Sequence, residues 1–396
     1  MRIYCRTFQT VMRIASYVLP WRKPLLLEGE DAVLQLPEQI VARGLDSVLL
    51  VTDQGIQSLG LQNPLLEALE KAGVRVAVYD QTVPNPTVEN VEEALALYKA
   101  QGCGGIIAFG GGSPMDCAKG VGARVARPGK SIAKMRGLLK IRKGLPPLFA
   151  IPTTAGTGSE ATVAAVISNR ETHEKYALMD PSLIPHVAVL DPLLTRNLPP
   201  SITAATGMDA LTHAVEAYIG RSNTRETREM ARRALKLVFE NLDTAYTDGS
   251  NIDARANMQR AAYFAGIAFT RAYVGNVHAI AHALGGVYGV PHGLANAVVL
   301  PAVLEDYGAC IHKSLAELAD AAGFTGDTDA EKSRTFIEAV RDLNARTGIP
   351  ATIPEIREED IETMAKQACR EANPTYPVPR IYSTADFARI YRSLMG

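Results

Sequence analysis

The pattern of apolar and polar positions changes character near residue 195. Before that point, short apolar runs alternate with helical stretches, which predicts strands at 47–52, 74–79, 105–109, 148–151 and 186–190 and helices at 59–72 and 87–100. Such alternation indicates a largely parallel sheet covered by helices. After Pro199, long Ala- and Leu-rich stretches predict helices, among them 204–219, 225–241, 254–283 and 311–322. We therefore expect an α/β domain over residues 1–195 and an all-α domain over residues 196–396.

The first 23 residues form a basic extension ahead of this pattern. Five cations precede the first acidic residue, Glu28: Arg2, Arg6, Arg13, Arg22 and Lys23. Arg13 interrupts the apolar run at 11–19 and no clear small-residue cleavage pattern follows, which argues against an export signal. We expect an amphipathic helix, counted with the first domain, that packs on the body of the protein. Weak contact with a membrane surface is the lesser alternative, and stable membrane insertion is not expected.

Composition and charge restrict the class of function. The chain has 396 residues, 47% of them hydrophobic and 21% charged, as in an ordinary globular protein of two domains. A formal net charge of −1 argues against nucleic-acid binding, which needs a basic face, and favours a small neutral or weakly charged substrate. The five cysteines are scattered without a Cys-x-x-Cys pair, so disulfides and a thiolate metal site are disfavoured and the cytoplasm is the expected compartment.

Four side chains have the chemistry of a metal site. Asp209 and His213 stand four residues apart and share one face of a predicted helix, while His278 and His292 come about 65 residues later. One carboxylate with three imidazoles suits a divalent ion such as iron(II) or zinc(II). A surface pair or a helix cap is the alternative for the first two residues. Their apolar neighbours indicate a buried helix, in which a charge needs a partner or an ion.

A glycine-rich segment links the strand at 105–109 to the start of a helix. It reads Gly-Gly-Gly-Ser-Pro-Met-Asp at 110–116, with Ser113 expected as the N-cap and Pro114 at the first helical position. Glycines let the backbone approach an anion, and the N–H groups of a helix start attract phosphate. Because the Gly-x-Gly-x-x-Gly fingerprint is absent, a plain tight turn stays an alternative.

A second loop follows the strand at 148–151 and reads Pro-Thr-Thr-Ala-Gly-Thr-Gly-Ser-Glu at 152–160, with four hydroxyls and two glycines. Two such loops at strand ends of one sheet favour a ligand with a pyrophosphate, and a dinucleotide is the leading interpretation. Asp53 comes just after another strand, where its carboxylate can accept hydrogen bonds from the adenosine ribose and would repel a 2′-phosphate. NAD is therefore favoured over NADP.

Together these motifs resemble the iron-containing, group III alcohol dehydrogenases. The resemblance rests on the two loops above, on Ala-Ala-Thr-Gly-Met-Asp-Ala-Leu-Thr-His-Ala-Val-Glu-Ala-Tyr at 204–218, and on His-Ala-Ile-Ala-His-Ala-Leu-Gly-Gly with Pro-His-Gly-Leu-Ala-Asn-Ala at 278–297. The order and spacing of these segments cover most of the chain, from about residue 24 to the C-terminus. The basic N-terminal extension is the main departure from shorter family members.

The resemblance implies a dehydroquinate-synthase-like fold, with a Rossmann-like N-terminal nucleotide domain, a helical C-terminal domain and a metal in the cleft between them. The implied metal ligands are the four residues already selected by their chemistry: Asp209, His213, His278 and His292. Cofactor contacts are implied at a larger set of positions: Asp53, Asn85, Gly111, Gly112, Ser113, Asp116, Thr153, Thr154, Thr157 and Lys175. Phe269 and Cys369 match positions in the substrate-pocket wall. A homodimer is implied as well.

The implied activity is that of a metal-dependent alcohol dehydrogenase and aldehyde reductase. The alcohol oxygen is expected to bind the divalent ion, which lowers the pKa of the hydroxyl before hydride passes to the nicotinamide. His282 matches a histidine that is near the nicotinamide and does not bind metal, and we expect it to relay the proton outward. Local packing is the alternative role for His282. Iron is favoured by the resemblance alone, since intrinsic affinity favours zinc.

Three competing functions fit parts of the pattern. A lyase or cyclase related to dehydroquinate synthase would also use NAD and a metal, but it would need several basic residues to hold a phosphorylated substrate, and the segments 204–218 and 276–299 contain no lysine or arginine. A zinc-dependent polyol dehydrogenase such as glycerol dehydrogenase is disfavoured by the additional histidine ligand. An NAD-binding sensor or assembly protein would not need the intact set of four metal ligands.

Overall fold

The computed structural model describes residues 2–16, 19, 21–171 and 174–396, and it divides into two compact units. One unit runs from Pro20 to Arg196, and the other comprises Asn197–Gly396 together with the described part of the first nineteen residues. The N-terminal extension was expected in the α/β domain, but the structure groups its described residues with the helical unit. The reason is that helix α1, Arg2–Ser16, hydrogen-bonds to backbone carbonyls of residues 374–379.

The first unit is built on a six-stranded, fully parallel sheet with the order β1-β9-β6-β4-β2-β3. Its strands are β1 Leu25–Glu28, β2 Ser47–Val51, β3 Arg75–Tyr79, β4 Gly105–Gly110, β6 Leu148–Pro152 and β9 Val187–Leu190. A second, three-stranded sheet contains β5 Gly137–Leu138, β7 Ala164–Ser168 and β8 Lys175–Met179. The predicted parallel α/β fold is confirmed. The edge strand β1 and the small sheet were not predicted, because they are short and only partly buried.

Helices cover both faces of the large sheet. They are α2 Leu36–Val41, α3 Gln54–Leu59, α4 Asn63–Lys71, α5 Val88–Ala100 and α6 Gly112–Ala126. Helices α5 and α6 contribute to one apolar layer, and α2 and α4 contribute to the layer on the opposite face. The single helix predicted at 59–72 is wrong at its start: Gly60 adopts a left-handed conformation with φ of 64° that ends α3, and α4 begins three residues later.

The strand order brings the predicted nucleotide loops to one edge of the sheet. Strand β2 lies between β3 and β4. The strand that follows β2 in sequence is added on one side of it and the next strand on the other, so the strand order reverses at β2. Because all six strands are parallel, their carboxyl ends share one edge, and ligands of such sheets bind at the reversal. The residues after β2, β3, β4 and β6 therefore lie along the same edge.

The second unit is helical throughout its described residues. Its helices are α7 Pro200–Ile219, α8 Arg225–Thr247, α9 Ile252–Ala272, α10 Asn276–Tyr288, α11 His292–Tyr307, α12 His312–Ala322, α13 Asp329–Arg346, α14 Glu358–Ala372 and α15 Thr384–Ser393. Helix α7 is buried over most of its length and packs against α8, α9 and α11. The single helix predicted at 254–283 is wrong, because the chain leaves helical geometry at Tyr273, which has φ of 66°, and α10 begins anew after Gly275.

One helical stretch among the described residues, His292–Ala322, is long and apolar enough to cross a membrane by length and composition alone. Of its most apolar window, 61% is buried inside the structure. Helix α11 within this stretch packs against α7, α10 and α13. These contacts identify the stretch as part of the core of the helical unit.

His186 connects three strands of the large sheet at their amino ends. Its backbone N–H donates to Leu148 O, its carbonyl accepts from Leu25 N, and its ring Nδ1 accepts from the N–H of Leu148 at 3.1 Å. Burial, together with the charges of Arg22 and Arg43, lowers the pKa of His186 to about 4. The ring is therefore a neutral acceptor at neutral pH.

The low pKa of His186 predicts that this residue makes the folded protein less stable in acid. Between about pH 6.5, the ordinary histidine pKa, and about pH 4, the unfolded chain binds a proton that the folded chain does not, so the free energy of unfolding falls as pH falls. The loss is at most about 1.4 kcal/mol per pH unit. Urea unfolding at pH 7 and pH 5 measures it against His186→Asn, whose amide oxygen can replace Nδ1 without titrating. An equal drop in both proteins would show that His186 is not responsible.

Candidate metal centre and nucleotide loops

Three helices bring the four predicted metal ligands together. Asp209 and His213 lie one turn apart on α7, His278 lies in the first turn of α10, and His292 is the first residue of α11. One potential ligand atom from each residue lies within 4.8 Å of those from the other three. The structure thus brings together four side chains that are spread over more than eighty residues of sequence. Their role as metal ligands stays a prediction.

Asp209 stands at the middle of this cluster. Its Oδ1 lies 3.9 Å from His213 Nδ1, 3.9 Å from His278 Nε2 and 3.4 Å from His292 Nε2. The same oxygen accepts a hydrogen bond of 2.8 Å from the amide of Asn296, one turn after His292. Asp209, His213 and His278 are buried, whereas the His292 side chain is 39% exposed. Access to the cluster is therefore on the side of His292.

The cluster fits a divalent cation on two observations. Nε2 of His278 is buried and has no hydrogen-bond partner among the described residues, although Asp209 lies within 4 Å. Burial first, and the neighbouring histidines second, lower the pKa of His278 well below its ordinary value, so the ring is neutral. A neutral imidazole beside a buried carboxylate offers lone pairs and a negative charge that a metal ion would satisfy.

Glu216, which the sequence analysis did not select, holds His278 from behind. Its Oε2 accepts from His278 Nδ1 at 2.6 Å and from Gly275 N at 2.8 Å, and its Oε1 accepts from Val277 N at 2.8 Å. This places the ring proton on Nδ1 and leaves Nε2 as the lone pair that faces Asp209. Burial raises the pKa of Glu216 to about 7. Its position seven residues after Asp209, on the same face of α7, was the available signal.

His282 has a carboxylate partner of its own. Its Nδ1 lies 2.6 Å from Oε1 of Glu371 on α14, and the hydroxyl of Tyr376 donates to the same oxygen at 2.7 Å. Burial by itself would raise the pKa of Glu371, but His282 and Tyr376 hold it below its ordinary value. The His282 ring stacks on His292 with centroids 5.1 Å apart. Nothing in the local sequence relates Glu371 to a histidine 89 residues earlier.

The two predicted pocket residues lie in different surroundings. Phe269 on α9 stacks on the His213 ring at 4.1 Å between centroids, so it covers one face of a predicted ligand. The thiol of Cys369 on α14 contacts Tyr382 O at 3.9 Å and accepts from the amide of Asn373 at 3.5 Å. Cys369 therefore contacts the segment that follows α14, and a role for it in substrate binding stays a prediction.

The glycine loop after β4 leads directly into α6. Gly110 has φ of 147°, and a Cβ there would lie 2.6 Å from Pro114, so only glycine fits. The prediction of Ser113 as N-cap and Pro114 as the first helical residue is wrong, because Gly111 is the N-cap and α6 begins at Gly112. The Ser113 hydroxyl instead accepts from the N–H of Asn85 at 3.3 Å.

The loop after β6 packs against these glycines. Thr153 N donates to Gly110 O at 3.1 Å. A Cβ on Gly111 would lie 3.5 Å from Thr154, and one on Gly112 would lie 3.1 Å from Thr157. The two loops thus approach each other with backbone N–H groups and hydroxyls side by side at the start of a helix, an arrangement that suits a pyrophosphate.

The remaining predicted cofactor residues fall into two groups. Near the glycine loop, Lys175 Nζ donates to Asn85 Oδ1 at 3.2 Å, and Asn85 itself has φ of 54°. Asp53 follows β2 and caps α3, with its Oδ1 accepting from Ile56 N at 2.9 Å. The carboxylate of Asp53 is therefore also part of the local fold, and its contact with a ribose stays a prediction.

Asp116 and the unpredicted Lys119 shape the second loop from inside. Asp116 accepts from Val166 N at 3.0 Å and from the Ser159 hydroxyl at 3.4 Å, and burial raises its pKa to about 6. Lys119 is 1% exposed, and its ammonium donates to oxygens of Ser159, Thr162 and Ala164 at 2.8 to 3.1 Å. These contacts give both residues a structural role, so a direct contact between Asp116 and the cofactor stays a prediction.

Comparison with known proteins identifies relatives over nearly the whole chain. A model of iron-containing alcohol dehydrogenases matches residues 24–192, and a model of the C-terminal part of the Fe-containing alcohol dehydrogenase family matches residues 203–395. The 1,3-propanediol dehydrogenase of Klebsiella pneumoniae is 38% identical over 92% of this chain and 95% of its own length. Alcohol dehydrogenase 4 of Saccharomyces cerevisiae strain YJM789 is 40% identical over 91% of this chain and 93% of its own. The crystal structure of a 1,3-propanediol oxidoreductase superposes with a TM-score of 0.92 and 37% identity, covering 96% of this chain and 100% of that chain.

The contacts of Glu216 predict that Glu216→Gln weakens metal binding. An amide can no longer accept from His278 and from both N–H groups at once, so we expect the affinity for zinc(II) or iron(II) to fall about 10- to 100-fold. Competition with a chromophoric chelator measures this affinity. Glu359→Gln, at an exposed glutamate, is the matched control. Unchanged affinity in a folded Glu216→Gln protein would refute the role of Glu216.

Proposed function

This chain belongs to the iron-containing alcohol dehydrogenase family, and from that premise we propose that it interconverts small alcohols and aldehydes with iron(II) as its metal and NAD as its hydride carrier. The resemblance inferred from the sequence is thus confirmed, as is an alcohol dehydrogenase activity. The related cyclase function is not favoured, because the helical segments that hold the candidate metal centre carry no lysine or arginine for a phosphorylated substrate.

The convergence of Asp209, His213, His278 and His292 is the observation that carries the proposal. A divalent ion bound there would supply positive charge to the substrate oxygen, while the nicotinamide would accept or donate the hydride. The protein itself contributes by positioning the side chains around the ion. Glu216 keeps His278 in one tautomer, and Phe269 shields the His213 ring from water on one face.

Iron rather than zinc is proposed because the family is described as iron-containing. Three imidazoles and a carboxylate are acceptable ligands for both ions, and intrinsic affinity ranks zinc(II) above iron(II). Thiolate ligands, which would favour zinc, are absent from the described cluster. The identity of the ion therefore depends on supply as well as on the ligands, and direct analysis of bound metal must accompany any assay.

NAD is proposed on the two loops and on Asp53. The glycines at the start of α6 and the hydroxyls of the 152–160 loop suit a pyrophosphate. Asp53 lies at the carboxyl end of β2, beside the point where strand order reverses. A carboxylate there would accept from ribose hydroxyls and repel the 2′-phosphate of NADP.

His282 is proposed to carry the proton that the alcohol releases. It lies one helical turn after His278, stacks on the partly exposed His292, and is held at Nδ1 by Glu371. With Nδ1 paired to Glu371, we propose that Nε2 of His282 is the ring atom that exchanges a proton with substrate or water. The ring is therefore oriented for proton transfer without being counted among the four metal ligands.

A reducing compartment and a homodimer complete the proposal. All five cysteines are free thiols, which supports the cytoplasm. The homodimer rests on family resemblance and is tested by sedimentation of the purified protein. A monomer at micromolar concentration would remove that part of the proposal and leave the chemistry intact.

The function is tested by turnover before and after removal of metal. We expect protein purified without oxygen to contain about one iron per chain and to produce NADH from a panel of primary alcohols and diols, because the four ligands form one site. Chelation should abolish the activity, and added iron(II) should restore it. Metal binding without hydride transfer to NAD or NADP would contradict the proposal. In the same assay, His282→Ala should retain the metal and lose most of its turnover.

The preference for NAD is tested by Asp53→Ser. Serine keeps a side-chain oxygen for the cap of α3 but removes the negative charge, so we expect the KM for NADPH to fall by about tenfold or more while the protein stays as stable as the wild type. Steady-state kinetics with both cofactors measures the change. Asp53→Ala, which loses cap and charge together, separates the two effects. An unaltered ratio between the cofactors in Asp53→Ser would show that Asp53 does not select NAD.

A further inference from the structure

The N-terminal helix α1 precedes the segment matched by the family models, which begins at residue 24. Two of its side chains donate hydrogen bonds to four backbone carbonyls of the segment after α14, here called the 374–379 loop. Arg6 donates to Val378 O and to Pro379 O, each at 2.8 Å. Gln9 donates to Pro374 O at 3.2 Å and to Tyr376 O at 2.7 Å. Four of the six loop carbonyls thus accept hydrogen bonds from a helix near the opposite end of the chain.

These contacts are made by one specific face of α1. Gln9 is 5% exposed, and Cys5 is 1% exposed in an apolar cluster with Val378 and Ile381. Arg6 also donates to Gln9 Oε1 at 2.8 Å, which fixes the two side chains relative to each other. Val11 lies on the other side of the helix and is 58% exposed. The helix therefore attaches to the loop through a defined set of donors.

One route leads from the loop to His282. Tyr376, whose carbonyl accepts from Gln9, donates its hydroxyl to Glu371 at 2.7 Å. Glu371 in turn contacts Nδ1 of His282, and the His282 ring stacks on His292. A displacement of Tyr376 would remove one of the hydrogen bonds that orient the carboxylate of Glu371.

A second route leads from the loop to His278. Pro377 O accepts from Arg221 N at 2.7 Å, and a Cβ on Gly275 would lie 3.4 Å from Val378. The N–H of Gly275 donates to Glu216, the carboxylate that orients His278. The loop therefore packs directly against the turn that supports this histidine.

We propose that α1 is a clamp on the 374–379 loop and that Arg6 and Gln9 are positioning residues for the candidate metal centre. The clamp acts through Glu371 and Glu216 on His282 and His278, and this role rests on the function proposed above. Both carboxylates need the loop in place, because Tyr376 donates to one and Val378 packs on the turn that donates to the other. The extension thus contributes to catalysis without touching substrate or cofactor.

The test compares variants that remove donors with variants that keep them, all in the full-length, metal-loaded protein. Gln9→Leu and Arg6→Met remove the hydrogen-bond donors and keep side chains of similar size. Arg6→Lys keeps a charged donor and is the conservative rescue, and Val11→Gln alters only the exposed face. The readouts are hydrogen exchange of the amides in 373–381, the rate of zinc(II) release to a chelator, and kcat and KM for the best alcohol.

We expect Gln9→Leu and Arg6→Met to speed exchange in 373–381 and zinc release by about fivefold or more. Each variant loses two hydrogen bonds to the loop, and a fivefold change is about what the loss of one would cause. Their kcat should fall while the KM for NAD stays unchanged. Arg6→Lys should recover most of each property, and Val11→Gln should match the wild type. Wild-type exchange and zinc release in both Gln9→Leu and Arg6→Met would overturn the clamp. A wild-type protein without turnover would refute the proposed function instead, and exchange and zinc release would still decide the clamp.

Discussion

A carboxylate buried among three imidazoles is the constraint on which the helical unit depends. Asp209 is 2% exposed, and ring nitrogens of three histidines lie 3.4 to 3.9 Å from its Oδ1. Burial lowers the pKa of one of them, His278, well below its ordinary value and keeps that ring neutral. A charge in that position is costly unless a cation completes it. The central position of α7, the break before α10 and the start of α11 at His292 together bring four potential ligand atoms within 4.8 Å of one another.

The histidines of α10 follow a common rule. Each pairs its Nδ1 with a carboxylate, His278 with Glu216 and His282 with Glu371. Such pairs fix the tautomer and the rotation of an imidazole. The two carboxylates come from different helices. The 374–379 loop donates a hydrogen bond to Glu371 through Tyr376 and packs against Gly275, whose N–H donates to Glu216.

The α/β unit positions its candidate cofactor loops through the topology of its sheet. Its parallel sheet collects the loops after β2, β4 and β6 at one edge, and the glycines of 110–112 allow those loops to approach closely. Beneath them, the ammonium of Lys119 binds several backbone and hydroxyl oxygens of the 159–164 segment. A buried cation thus holds the shape of the hydroxyl-rich loop, much as the buried carboxylate of Asp209 organises the helical unit.

The sequence by itself determined the class of fold, the change from α/β to all-α near residue 195, and the four residues of the candidate metal centre. These features depend on periodicity, on helical spacing and on short motifs, which are local properties of a chain. Only the tertiary structure decided that Glu371 meets His282, that α1 joins the helical unit, and that Ser113 contacts Asn85 instead of capping α6. Each of these contacts joins residues distant in sequence or selects among several partners for one polar group, and packing, rather than local preference, makes that choice.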